Sequence, residues 1–113
     1  MKKKEIRVRC WIDIDGTKFF GPGRSELLAL IQQSGSIAKA AKSMGMSYKK
    51  AWAMVEEMNT RGAQPFVITH KGGQQGGGTE LTEAGKKLVT SFEKLMNRLK
   101  LLVEKENELL KLI

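Results

Sequence analysis

Residues 36–58 read SIAKAAKSMGMSYKKAWAMVEEM, and this segment leaves few choices of fold. Ile37, Ala40, Ala41 and Met44 recur at helical spacing. Ser36 ahead of them is an N-cap whose hydroxyl meets free amides of the first turn. Gly45 is placed to end that helix in the left-handed region, where a residue without a Cβ is unstrained. Ser47 then caps another helix running to about Arg61, with Ala51, Trp52, Val55 and Met58 as its apolar positions. The small side chains of Ala40 and Ala41 let two helices meet closely at a steep angle, and the glycine turns the chain within three or four residues. The segment predicts a helix-turn-helix.

The flanks add two hairpins and a long helix. Residues 6–14 alternate, with Ile6, Val8, Cys10, Ile12 and Ile14 facing one way and Arg7, Arg9, Trp11 and Asp13 the other, which predicts a half-buried strand. Asp15-Gly16 is a tight-turn dipeptide, and residues 17–20 form the return strand. Gly21-Pro22-Gly23 breaks the pattern before a helix carrying Leu27, Leu28, Leu30 and Ile31. After Gly62 and Pro65, residues 66–69 are a short β run, residues 71–79 (KGGQQGGGT) a glycine-rich loop, and Glu80-Leu81 the closing strand. Thr82 begins a helix expected to run toward the C-terminus. The fold expected is α+β, mostly α: a winged helix-turn-helix over residues 1–81, opened by a β-hairpin and followed by a dimerisation helix over residues 82–113.

That last helix carries leucine at 81, 88, 95, 102 and 109, with Gly85, Phe92, Leu99, Glu106 and Ile113 between them. Steps of four and three make a heptad seam. Little of the domain is left to cover it, so a second copy is the expected partner, gripped through Leu88, Phe92, Leu95, Leu99, Leu102 and Leu109.

Charge directs the functional reading. The 113 residues hold 20 Lys and Arg against 12 Asp and Glu, a net +8 that calls for a polyanionic partner. Lys39, Lys42, Lys49 and Lys50 are the charged residues from Gly35 to Val55, and no carboxylate appears before Glu56. The second helix of the motif therefore presents Ser47, Tyr48, Lys49 and Lys50 at its N-terminus, the end that enters a major groove, and its dipole favours a phosphate there. Trp52, one turn beyond Tyr48, is expected in the core with Val55 and Met58, and Tyr48 outside. The glycine loop reads as a wing. Its backbone approaches phosphates closely, Lys71 adds charge, and the amides of Gln74 and Gln75 donate.

Other chemistries fail on their residues. A phosphate-binding P-loop needs Gly-Lys-Ser/Thr opening a helix, and Gly77-Gly78-Thr79 has no lysine. Asp13 and Asp15 flank a turn, where carboxylates are solvated turn formers. His70 has no catalytic partner in the sequence. One Cys, Cys10, cannot form an intramolecular disulfide, and with His70 it is too little for a zinc site. No enzyme, metal or cofactor is expected. No apolar run approaches a membrane span, and Lys2, Lys3 and Lys4 lack the apolar stretch of a signal peptide, so a cytoplasmic protein without membrane contact is expected.

GPGRSELLALIQQSGSIAKAAKSMGMSYKKAWAMVEEMN, together with the glycine-rich loop and the following Leu-Thr-Glu-Ala-Gly, resembles the N-terminal DNA-binding domain of the ModE molybdate-responsive regulators, itself related to the winged helices of LysR-type regulators. The similarity covers residues 6–85. It implies a β-hairpin, a helix-turn-helix, a wing and a long dimer helix, with Ser36, Ser47, Tyr48, Lys49, Lys50, Lys71, Gln74 and Gln75 at the surface of double-stranded DNA. Lys39 joins them through its charge. ModE proteins carry molybdate-binding domains after the dimer helix. This sequence stops at Ile113, so such a domain is not expected and molybdate is not carried over as a ligand. The residues themselves leave two other classes open: a protein-interaction module using the zipper helix, and a small oxyanion sensor using helix N-termini or the glycine loop.

Overall fold

A computed structural model describes residues 2–70 and 78–113. The elements in chain order are β1 (Ile12–Ile14), β2 (Thr17–Phe20), α1 (Pro22–Ser34), α2 (Ile37–Met44), α3 (Tyr48–Arg61), β3 (Val67–His70), β4 (Gly78–Leu81), α4 (Glu83–Glu104) and α5 (Asn107–Lys111). β1 pairs antiparallel with β2, and β3 with β4. The result is the expected mostly α winged helix, two small hairpins around a helical core.

The first hairpin is shorter than the alternation predicts. Asp15 and Gly16 both take positive φ, 50° and 77°, as the tight turn requires. β2 has only four residues, and pairing ends at Ile12, where a bulge lies between Ile12 and Asp13. Residues 2–11 therefore have no ladder partner among the described residues and form no strand. The alternation survives in their burial: Ile6, Val8 and Cys10 are half-covered, while Arg7 and Arg9 are exposed. Ile6 shares a shallow depression with Val103 and Leu110 at the far end of the C-terminal helices. Ile12, expected to face inward, is exposed because the bulge turns the strand at that point.

The core sits where α1, α2 and α3 meet. Leu27, Leu28 and Ile31 from α1, Ile37, Ala40 and Ala41 from α2, and Ala51, Val55 and Met58 from α3 are all buried. Phe19 and Phe20 reach in from β2, and the Phe20 ring meets Phe92 of α4 edge-on, with centroids 5.2 Å apart. α4 enters through a dense junction. The Thr82 hydroxyl donates to the Pro65 carbonyl at 2.8 Å and accepts from the Gly85 amide at 3.0 Å, while the Thr82 amide donates to the Phe66 carbonyl at 3.0 Å.

The expected seam therefore divides. Phe92, at 4% exposure, belongs to the domain's own core, and Leu88 is half-covered by it. Leu95, Leu102 and Leu109 are exposed, and Leu99 is half-exposed. The cause is geometric: Gly85, Val89 and Phe92 lie on the face of α4 that meets the wing and α1, so the start of the heptad row is used within the chain. The helix also does not run unbroken to the end. Glu106 leaves the helical region at φ −89°, ψ 49°, and α5 starts after it. No glycine or proline stands there, so the sequence carries no stop signal at the break.

One ion network ties the first hairpin to α3. Glu57 receives Arg24 at 3.1 Å and Arg61 at 2.8 Å, and the Arg61 guanidinium also donates to the carbonyls of Lys18 at 2.7 Å and Thr17 at 3.1 Å. The hydrogen bond from Arg61, then that from Arg24, holds the Glu57 carboxyl below its ordinary 4.5. A lowered carboxylate pKa contributes stability that is complete above the unfolded value and lost as pH falls through the folded one. Glu57→Gln should therefore cost about 1 kcal/mol at neutral pH for this partly exposed group. Thermal melts of the two proteins should begin to draw together as pH falls below the unfolded carboxylate value of about 4.3 and should meet only below the lowered folded one. A gap that persists unchanged into acid would show that the charge of Glu57 is not its source.

Candidate nucleic-acid interface

The turn between α2 and α3 is built as its residues dictate. Ser36 accepts from the Lys39 amide at 3.1 Å, and Ser47 accepts from the Lys50 amide at 3.0 Å, so each helix starts on a serine cap. Each hydroxyl keeps its own proton free to donate outward. Gly45 takes φ 69°, and its amide closes on the carbonyls of Ala41 and Lys42. The 0% and 1% exposures of Ala51, Ala40 and Ala41 show how closely the helices meet there. A larger side chain at any of the three would push them apart.

The wing is fixed to α3 by a residue that the sequence patterns missed. The Asn59 side-chain oxygen accepts from the amides of Phe66 at 2.8 Å and Val67 at 3.2 Å, and its amide nitrogen donates to the Val67 carbonyl at 2.9 Å. Asn59 thus substitutes for a strand partner at the base of the wing. Its sequence signal, a lone polar residue near a helix end, is too common to single out. The other side of the wing is held by the Thr79 amide, which donates to the Gly35 carbonyl at 3.0 Å. Within the wing, His70 Nε2 lies 3.0 Å from a Glu80 carboxylate oxygen, both side chains exposed.

These constraints set where the expected site residues fall. Ser36 is half-exposed at the start of α2, and Lys39 is exposed one turn on. Ser47, Tyr48, Lys49 and Lys50 are all exposed around the start of α3. Among the described residues, Lys39, Lys42, Lys49 and Lys50 make no ion pair, so their charges face solvent unneutralised. Lys71, Gln74 and Gln75 lie outside the described residues; β3 and β4 end on either side of them, at His70 and Gly78.

A groove of about 320 Å³ separates α3 from the wing. Ser36, Ile37 and Ala38 from the start of α2, Thr69 and His70 from β3, and Tyr48 and Trp52 from α3 line it. Ser36 and Tyr48 are thus brought together, whereas Lys39, Lys49 and Lys50 do not line this groove. Trp52 differs from expectation: it is 47% exposed rather than part of the core. Positions 51, 55 and 58 define the buried face of α3, and 52 is a further 100° round, on the face of Tyr48. Weighting hydrophobicity above phase concealed this.

Among the described residues no three His, Cys, Asp or Glu side chains are gathered to hold a metal ion, and no helix is long and apolar enough to cross a membrane.

No family model matches the chain. Individual curated proteins do. The molybdenum transport protein ModE of Azotobacter vinelandii is 37% identical over 95 residues, covering 84% of this chain and 35% of that protein. The transcriptional regulator ModE of Haemophilus influenzae is 40% identical over 95 residues, 84% of this chain and 36% of its own length. The molybdenum-pterin-binding protein MopB of Rhodobacter capsulatus is 47% identical over 72 residues, 64% of this chain and 27% of that protein. The chain is thus similar to the ModE regulators over most of its own length, while spanning about a third of theirs.

Proposed function

We propose that the chain is a sequence-specific DNA-binding regulator of transcription that acts as a homodimer, with α3 in the major groove and the glycine-rich wing along the backbone. The observation that carries this reading is the start of α3. Ser47, Tyr48, Lys49 and Lys50 stand exposed on a capped helix terminus, their lysines without an ion pair among the described residues, beside a wing whose base is hydrogen-bonded to Asn59 of α3. Lysine–phosphate contacts supply affinity that falls with salt, and side chains on the groove-facing surface supply preference among sequences. Lys71, Gln74 and Gln75 of the wing, with Ser36 and Lys39 of α2, complete the phosphate contacts. Residues 1–81 form the DNA-binding unit. Residues 82–113 join two copies through Leu95, Leu99, Leu102 and Leu109, the part of the seam that its own core leaves open.

Binding of the purified protein to the DNA upstream of its own gene, and to a scrambled duplex, tests this across a salt series. The expected result is a preference of at least ~10³ for the upstream duplex at moderate salt, within the range of specific over non-specific binding, and two chains per site. Equal binding to both duplexes would remove sequence specificity from the reading, and absence of binding at low salt would remove DNA.

A further inference from the structure

Trp52 is a large apolar side chain, 47% exposed, on the side of α3 that carries Tyr48 and away from the core face formed by Ala51, Val55 and Met58. It does not stand alone on an open surface. It lines the groove between α3 and the wing together with Tyr48, Ser36, Thr69 and His70.

We propose that Trp52 reads thymine in the major groove, packing its ring against the 5-methyl group while Tyr48, one turn earlier, flanks the same base step. The inference rests on the reading of α3 as the recognition helix. Its argument is chemical. An indole offers an apolar face and one N–H donor, with no acceptor. The thymine edge offers an apolar methyl next to the O4 acceptor, and the other three bases show no methyl in the major groove. Cytosine presents the N4 amino donor, for which the indole has no lone-pair acceptor. Guanine and adenine present polar edges suited to Arg, Lys, Asn or Gln, and no methyl for the indole's carbon surface to cover. Lys49 and Lys50, off this groove, are left for the phosphates.

The test uses a duplex enriched by the wild-type protein from a random-sequence pool, with its thymines replaced one at a time by deoxyuridine, which removes the methyl alone. At the contacted position the replacement should raise the wild-type Kd about threefold to tenfold. Trp52→Ala should raise Kd about tenfold on the thymine duplex and show no further loss with deoxyuridine at that position. Trp52→Phe should keep the thymine preference. The half-exposed site makes loss of fold avoidable, and a melting curve checks it. In a Trp11→Phe background, where Trp52 is the remaining indole, its emission should change on addition of the duplex. Wild-type affinity in Trp52→Ala, or the same deoxyuridine penalty with and without the ring, would overturn the assignment while leaving DNA binding intact. Failure of the wild-type protein to bind any duplex at low salt would overturn both together.

Discussion

Reversing both charges at the start of α3, Lys49→Glu with Lys50→Glu, should lower affinity for the upstream duplex at least ~100-fold at low salt and should reduce the slope of log Kd against log salt by about 2. The magnitude follows from what each change does. A lysine on a phosphate releases a condensed counterion, and a glutamate there both withholds that release and repels the phosphate. The folded protein should not feel the change. Both side chains are exposed, and among the described residues neither is engaged in an ion pair. Glutamate in the first turn of a helix also meets the positive end of the dipole, so α3 should be slightly favoured. Fluorescence anisotropy with labelled duplex, beside a thermal melt, separates the two effects. A double variant that melts like wild type and still binds within threefold would show that the start of α3 does not face DNA.

Most of this architecture was legible in residues 21–62, where every boundary is marked by a residue chosen for its backbone. Gly35 and Gly45 close α1 and α2 in the left-handed region, and Ser36 and Ser47 open α2 and α3 as caps. The legible part is local chemistry. What escaped depends on neighbours distant in sequence. The alternation of residues 6–14 is real in burial, yet a strand also needs a partner, and β2 is too short to supply one beyond Ile12. The heptad row of α4 is real as a pattern, yet a row of leucines does not say against what it packs, and its first turns meet Phe66 and Phe20 of the same chain. Of the interface, the polar residues at helix starts were legible from capping and charge. Asn59 was not, because its three bonds go to a segment seven and eight residues later that only the fold brings alongside. At Trp52 hydrophobicity points to the core and helical phase to the face of Tyr48, and phase decides its exposure.

Gly85 shows how strongly the fold depends on one such distant meeting. It stands in the first turn of α4, where an alanine ordinarily stabilises a helix by up to about 1 kcal/mol. Here a Cβ would lie 2.2 Å from the Phe66 carbonyl oxygen and 3.3 Å from the Leu81 Cβ. The first contact is with backbone, which cannot rotate aside as a side-chain tip can. Nor can the Phe66 carbonyl retreat freely, because it accepts the Thr82 amide and the adjoining Phe66 amide is held by Asn59. Relief would require α4 to lift from the wing and to draw Phe92 off Phe20, the edge-on ring pair at the centre of the core. Gly85→Ala should therefore destabilise the protein by about 3 kcal/mol, the upper range for overpacking. For a domain of this size that corresponds to a fall in Tm of roughly 12–20 °C. Gly23→Ala is the matched control: it too lies near the start of a helix, among the described residues nothing beyond its own helix backbone and chain neighbours lies within 4 Å of its would-be Cβ, and it should leave Tm level or raised. If both alanines raised Tm alike, α4 would not be seated against the wing, and the rigid spacing between wing and recognition helix that the DNA reading relies on would have no structural basis.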